Sequence, residues 1–239
     1  TMLKKMPPYM ISEDGVLKEW LTPKLEDNLR HRHSSQLYPL FDGMPEEIAK
    51  DPELQTAFRR IIEIKLEKHW KRSGFMSFGL VQLGQAATSL GESELAYECL
   101  KHLVNRFWLG NLASMHNHRS LFNMDISGGM PAVLIKMLVA SDPGRIQLLP
   151  AVPAQWPSGT IEGVLCRGQI EIKRLHWDDS RIDLTLRSGK KQSIILEAPS
   201  EIRRISVTKG KASVGKTDRH ECRRLSLPAR KDVTFSIEI

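Results

Sequence analysis

The stretch FNMDISGGMP, residues 122–131, sets one carboxylate, Asp125, ahead of a Gly pair and an apolar run. Two imidazoles lie just upstream, His116 and His118 in SMHNHRS. A carboxylate at such a junction has two uses. It can take a proton from an attacking water as a general base, or it can accept hydrogen bonds from the free N–H groups of the next helix. Spacing alone favours the cap, because Asp125 and Ser127 precede a helix expected to begin near Met130, with Pro131 in its first turn. Two more clusters carry polar chemistry: the Glu19-Trp20 pair of LKEW and the run His31-Arg32-His33. Two His at i and i+2 can share one side of an extended segment and bind zinc. No third ligand stands at a diagnostic spacing, so no metal is assigned. The letters HNH at 116–118 set up no metal geometry by themselves.

The elements that must hold these groups change character along the chain. From 53 to 140 the apolar period is helical. Ala96, Cys99, Leu100, Leu103 and Phe107 recur at spacings of three and four, as do Leu54, Phe58, Ile61, Ile62 and Leu66. FMSFGLVQLGQAATSL (75–90) and MPAVLIKMLVA (130–140) are apolar nearly all round, which predicts inner helices buried on every side. About five helices are expected. After residue 146 the period becomes two: Ile182, Leu184 and Leu186 alternate with polar residues, as do Val233, Phe235, Ile237 and Ile239. Seven or eight short strands are expected there, forming an antiparallel sandwich. In QIEIKRLHW the apolar set shifts from Ile170 and Ile172 to Leu175 and Trp177, which predicts a bulge near Lys173–Arg174. The expected organisation is therefore multidomain, α then β, with domains at 1–146 and 147–239. The first 50 residues are rich in Pro, Gly, Asp and His and read as long functional loops.

Composition narrows the partner classes. The chain has 239 residues, 41% apolar and 26% charged, with a net charge of +7. Residues 1–146 carry 18 Lys and Arg against 17 Asp and Glu, and residues 147–239 carry 17 against 11, so the excess sits in the second half. Those charges alternate with apolar residues and few aromatics, the pattern of solvated strand faces, so nucleic acid is not the expected partner. A polyanion-binding β region remains a rival reading, tested by salt-sensitive retention on heparin. No apolar run approaches the ~18 residues of a membrane span, so no membrane partner is expected. Cys99, Cys166 and Cys222 are widely spaced and read as small buried residues, not as a disulfide or zinc framework.

Read together, DGVLKEW, RHRHSSQLYPLFDGMP, FNMDISGGMPAVLIKMLVAS and IQLLPAVPAQWPSGTIEGVLCRGQIEIKRLHW resemble the C-terminal part of family 95 of the glycoside hydrolases, α-L-fucosidases with some members acting on α-L-galactosides. The resemblance covers nearly all of residues 7–200. It implies the back half of a six-hairpin (α/α)6 toroid, followed by a C-terminal antiparallel β-sandwich. It also implies an inverting hydrolase without a cofactor, in which a glutamic acid protonates the glycosidic oxygen and an aspartate activates water on the opposite face. The motif Asp falls on Asp125, the candidate catalytic base. The His-Arg-His loop carries sugar-subsite roles over to His31 and His33. The Glu-Trp pair matches Glu19 and Trp20, and His116 and Asn123 complete the substrate-binding set. The partner implied is an oligosaccharide or polysaccharide, and the localisation implied is secreted or periplasmic.

Departures from the family pattern bear on substrate choice. Where many members have Q-I-D-G-N, this chain has Asn123, Met124, Asp125, Ile126 and Ser127, and Gln36 stands where a His is common. A toroid needs roughly twelve helices of ~10–14 residues, and no residue here matches the family's general acid. The resemblance therefore implies that the N-terminal half of the same enzyme is a further partner, and that the chain alone is inactive and prone to associate through its apolar helices. The rival from another class is a catalytically inactive remnant, or a carbohydrate-binding or structural module.

Overall fold

The computed structural model describes residues 5–29, 31–70, 76–117 and 120–239, with the side chains of 68–70 excepted. The chain divides into two compact units, Thr1–Leu134 and Ile135–Ile239.

The first unit opens with loops and a 3-10 helix, Ser35–Leu40. Four α-helices follow, α1 (Glu46–Ala49), α2 (Pro52–Trp70), α3 (Ser77–Ser89) and α4 (Ser93–Phe107), and α5 (Asp125–Leu138) runs across the unit boundary. Between α4 and α5 lies a small antiparallel hairpin of β1 (Met115–Asn117) and β2 (Ser120–Phe122). The stripes expected from spacing are the buried faces: Leu54, Phe58, Ile61, Ile62 and Leu66 on α2, and Ala96, Cys99, Leu100, Leu103 and Phe107 on α4.

Helix α3 is buried on nearly every side, including Ser77, Gly79, Gly84 and Thr88. Two glycines let its neighbours come close. A Cβ on Gly84 would lie 3.0 Å from Val133 of α5 and 3.4 Å from Cys99 of α4, and one on Gly129 would lie 2.7 Å from Val81. Helix α5 departs from expectation in two ways. It begins at Asp125, not near Met130, so Pro131 sits inside it. Proline has no N–H, so the bond to the Ser127 carbonyl is missing. Nor is the helix buried all round: Ile126, Val133, Met137 and Leu138 are buried, but Leu134 and Ile135 are each 38% exposed.

The second unit holds two sheets. Strand β3 (Val139–Asp142) and β4 (Arg145–Leu148) form a hairpin directly after α5, so the β region begins before residue 147. Nine strands follow: β5 (Gly159–Ile161), β6 (Val164–Cys166), β7 (Ile170–Trp177), β8 (Arg181–Ser188), β9 (Gln192–Glu197), β10 (Arg204–Lys209), β11 (Ser213–Lys216), β12 (Cys222–Leu227) and β13 (Asp232–Glu238). One sheet runs β10-β13-β8-β7-β5, with β6 also on β7, and the other runs β11-β12-β9-β4-β3. Among the described residues, every pairing between two strands is antiparallel except β4 with β9. That one parallel pair makes the second sheet mixed, where alternation had implied only antiparallel neighbours. Glu197 of β9, itself buried, is held by Arg145 of β4 at 2.9 Å and by Arg219 at 3.2 Å, so the parallel pair carries a charge-assisted tie.

Period-two residues of both sheets, among them Ile172, Leu184, Ile194, Leu225 and Phe235, join one buried apolar cluster. The bulge expected near Lys173–Arg174 is present as a register shift between Ile172 and Arg174. It lets Leu175 and Trp177 return to the core side after the phase change. The three cysteines are free and buried, and burial pushes the Cys166 thiol up to about 11. No helix among the described residues is long and apolar enough to cross a membrane.

Candidate active site

Asp125 is the first residue of α5 and is exposed. The chain reaches it through β1 and β2, and the side chain of Asn123 links β1 to Asp125. The amide Nδ2 of Asn123 donates to Asp125 Oδ2 at 2.8 Å and stands 3.1 Å from His116 Nδ1, while Asn123 Oδ1 accepts the Asp125 backbone N–H at 2.6 Å. The backbone of Asn123 is fixed as well. Its N–H donates to the Ser114 carbonyl at 3.0 Å, and its carbonyl accepts the Ser114 hydroxyl. Ser127, one turn into α5, shares a hydrogen bond of 2.8 Å with that same hydroxyl. Ser127 thus helps to tie the start of α5 to the hairpin. Asn123, and not Asp125, accepts the helix's first N–H. The capping role that spacing gave to Asp125 falls to its neighbour, and one Asp125 oxygen stays clear of the Asn123 amide.

The His-Arg-His loop is built by two helices. Lys65 of α2 is 3% exposed, and its ammonium donates to the carbonyls of His31 at 3.1 Å and His33 at 2.8 Å. From α3, Gln82 accepts the Ser34 N–H at 3.3 Å, and Gly79 lies against the Arg32 carbonyl. The His31 and His33 rings sit 5.3 Å apart, and His31 Nδ1 accepts the His33 backbone N–H at 3.2 Å. His33 has its pKa held below the ordinary histidine value, first by burial and then by the nearby charges of Arg32, His31, Lys65 and His116. A neutral His33 offers a hydrogen bond without charge repulsion from its neighbours. Strand β1 also packs against α3, the helix whose Gln82 and Gly79 hold the loop.

Glu19 reaches the same loop. Its carboxylate accepts the Ser35 hydroxyl, and its backbone N–H is held by Asp27 at 3.0 Å. Trp20 is 48% exposed and also donates its N–H to Asp27, at 3.3 Å. Its indole is free to offer a flat apolar face to a ring. His118 lies outside the described residues. Among those described, no group of three His, Cys, Asp or Glu is placed to hold a metal.

Among the supporting residues not singled out from the sequence are Lys65, Asp27, Ser35 and Ser114. Lys65 had a readable signal. It falls three and four residues after Ile62 and Ile61, on the buried stripe of α2, where a charge must find a partner. The other three bind across loops and leave no periodic trace. Gly79 gives a direct test of how tightly the loop is held. A Cβ there would stand 2.8 Å from the Arg32 carbonyl oxygen, a backbone atom that must then shift. Gly79→Ala is expected to lose ~1–2 kcal/mol of stability by overpacking, partly offset by the better helix propensity of Ala. Urea denaturation would measure this, and a stability gain would show that the loop yields freely.

Two matches decide what kind of protein carries this site. Residues 1–138 match the glycosyl hydrolase family 95 catalytic domain, and residues 140–237 match the glycoside hydrolase family 95 C-terminal domain. The chain belongs to glycoside hydrolase family 95. The family's two domains meet at 138/140, where α5 ends and β3 begins. A curated relative, alpha-L-fucosidase 2 of Arabidopsis thaliana, is 32% identical over 189 residues, 74% of this chain. The chain spans about a fifth of that relative's length, 21%. Among solved structures, a GH127 beta-L-arabinofuranosidase from Geobacillus stearothermophilus T6 aligns with a TM-score of 0.36 and 10% identity, over 88% of this chain and 43% of its own.

Proposed function

We propose that this family 95 chain contributes the water-activating side of a secreted or periplasmic, inverting, α-L-fucosidase-like glycosidase that removes terminal α-linked L-fucose or L-galactose from glycans. The observation that carries the reading is Asp125: an exposed carboxylate at the start of α5, held through one oxygen by Asn123, inside the span of the family's catalytic domain. In such a reaction a water on the far side of the sugar ring loses its proton to the carboxylate as its oxygen attacks the anomeric carbon. The glycosidic oxygen leaves with a proton from a second acid, which inverting enzymes hold ~6.5–9.5 Å from the base. Holding one oxygen by Asn123 leaves the other to meet that water. His31, His33, His116 and Glu19 supply polar groups for the sugar hydroxyls, and Trp20 supplies an apolar face for the ring or its methyl group.

The proton donor is assigned to no residue of this chain. We place it in the remainder of the catalytic domain, which would complete an (α/α)6 toroid whose back half is the helical unit here. The two sheets of the second unit form its C-terminal β-sandwich. The test is stereochemical. The complete enzyme, given an aryl α-L-fucoside and followed by proton NMR, is expected to release β-configured sugar first. The 239-residue chain alone is expected to release none. Initial release of the α sugar would overturn the inverting assignment, and hydrolysis by the chain alone would overturn the division of labour.

A further inference from the structure

The cluster at the head of α5 fixes more than the position of a carboxylate. Asn123 uses every polar group it has: backbone N–H, backbone carbonyl, Oδ1 and Nδ2. The amide can be placed only one way. The backbone N–H of Asp125 only donates, so the atom facing it is the carbonyl oxygen Oδ1. The NH2 group then faces both the Asp125 carboxylate and His116 Nδ1. A flipped amide would fail twice, setting oxygen against carboxylate and NH2 against N–H. His116 Nδ1 therefore accepts a hydrogen bond and carries no proton. In the neutral ring the proton must sit on Nε2.

We propose that Asn123 is a positioning residue that sets His116 as a hydrogen-bond donor through Nε2 and, with the same NH2 group, holds one oxygen of Asp125. The consequence concerns substrate recognition. His116 is half-buried, and among the described residues its Nε2–H has no hydrogen-bond partner. A donor fixed beside the base suits an oxygen acceptor on the sugar, a hydroxyl or the ring oxygen, and does not suit a cationic or donor-only group. One amide thereby couples a recognition group to the base. This rests on the reading of Asp125 as the base for its catalytic meaning, but the tautomer itself rests on the hydrogen bonds alone.

The experiment is nitrogen NMR on the 239-residue chain labelled with 15N-histidine, at a pH where His116 is neutral. The expected pattern is a protonated Nε2 and a bare Nδ1. Asn123→Asp keeps an oxygen for the Asp125 N–H, so the cap survives, but it replaces the NH2 donor with an acceptor. The His116 pattern is then expected to reverse, with the proton on Nδ1, while repulsion between the new carboxylate and Asp125 lowers the melting temperature. A purely structural Asn would be replaced by Asp without moving the tautomer. If Asn123→Asp fails to fold, Asn123→Ala serves instead, and the expected result there is a mixture of tautomers.

In the complete enzyme Asn123→Asp is expected to lower kcat about tenfold to a hundredfold, with a smaller change in KM, as misplacement of a base by a fraction of an ångström does. A protonated Nδ1 in the unaltered chain, or a pattern unmoved by either variant, overturns the proposal. Normal turnover in Asp125→Asn with the expected tautomers overturns the catalytic reading but not the tautomer. The two failures are thus separable.

Discussion

Asp125→Asn is expected to lower turnover of an α-L-fucoside by ~10² or more in the complete enzyme, with little change in stability or in affinity for the sugar. The substitution is nearly isosteric. An asparagine can still present its carbonyl oxygen to the Asn123 NH2 group, so the bond that orients residue 125 is kept. The helix start does not suffer either, because Asn123 accepts the first N–H of α5. Exposed positions away from special features change stability by no more than ~0.5 kcal/mol. What is lost is the ability to take a proton from water, since an amide NH2 would stand where the second carboxylate oxygen stood. Steady-state kinetics with sugar binding by calorimetry would separate the effects. Near-normal turnover would remove Asp125 from the role of base and return it to the first residue of a helix.

Lys65→Met is the second large effect, expected at about 2–3 kcal/mol of lost stability together with a raised KM for the sugar. The methionine keeps the apolar stem, so little packing is lost. The ammonium, however, is a buried donor to two carbonyls of the His-Arg-His loop. Removing it leaves both acceptors without that partner, at ~1–3 kcal/mol each, and relief from burying a charge returns part of that cost. The loop that presents His31 and His33 would lose its tie to α2, while its holds from α3, Gln82 and the close fit at Gly79, would remain. Chemical denaturation measures the first effect and KM against kcat the second. A variant with unchanged KM would show that the loop keeps its place without the tie to α2.

These two residues also show how unevenly the site could be read in advance. Asp125 stood out because it lies between a polar stretch and an apolar run and falls on the family motif, although spacing alone favoured a cap. Its neighbour Asn123 looked like a substitution within a motif, and its hydrogen bonds to both the Asp125 carboxylate and the His116 imidazole became visible only from the distances. Lys65 was legible in principle, as a charge on an apolar stripe, but not its partners 32 and 34 residues away.

By itself the sequence determined the order of helices before strands, the buried stripes of α2 and α4, the phase change that became the β7 bulge, and the family. Each of these follows from short-range rules: a backbone period of 3.6 or 2 decides which side chains share a face, and motifs are contiguous strings. The tertiary structure alone decided where α5 begins, that β3 and β4 join the second sheet through a parallel pair with β9, and that Asn123 rather than Asp125 caps the helix. Such outcomes depend on which donor finds which acceptor across loops far apart in the chain, and hydrogen bonding leaves no period in a sequence. For Asp125 the sequence supplied the carboxylate, and only the fold set which of its oxygens is held.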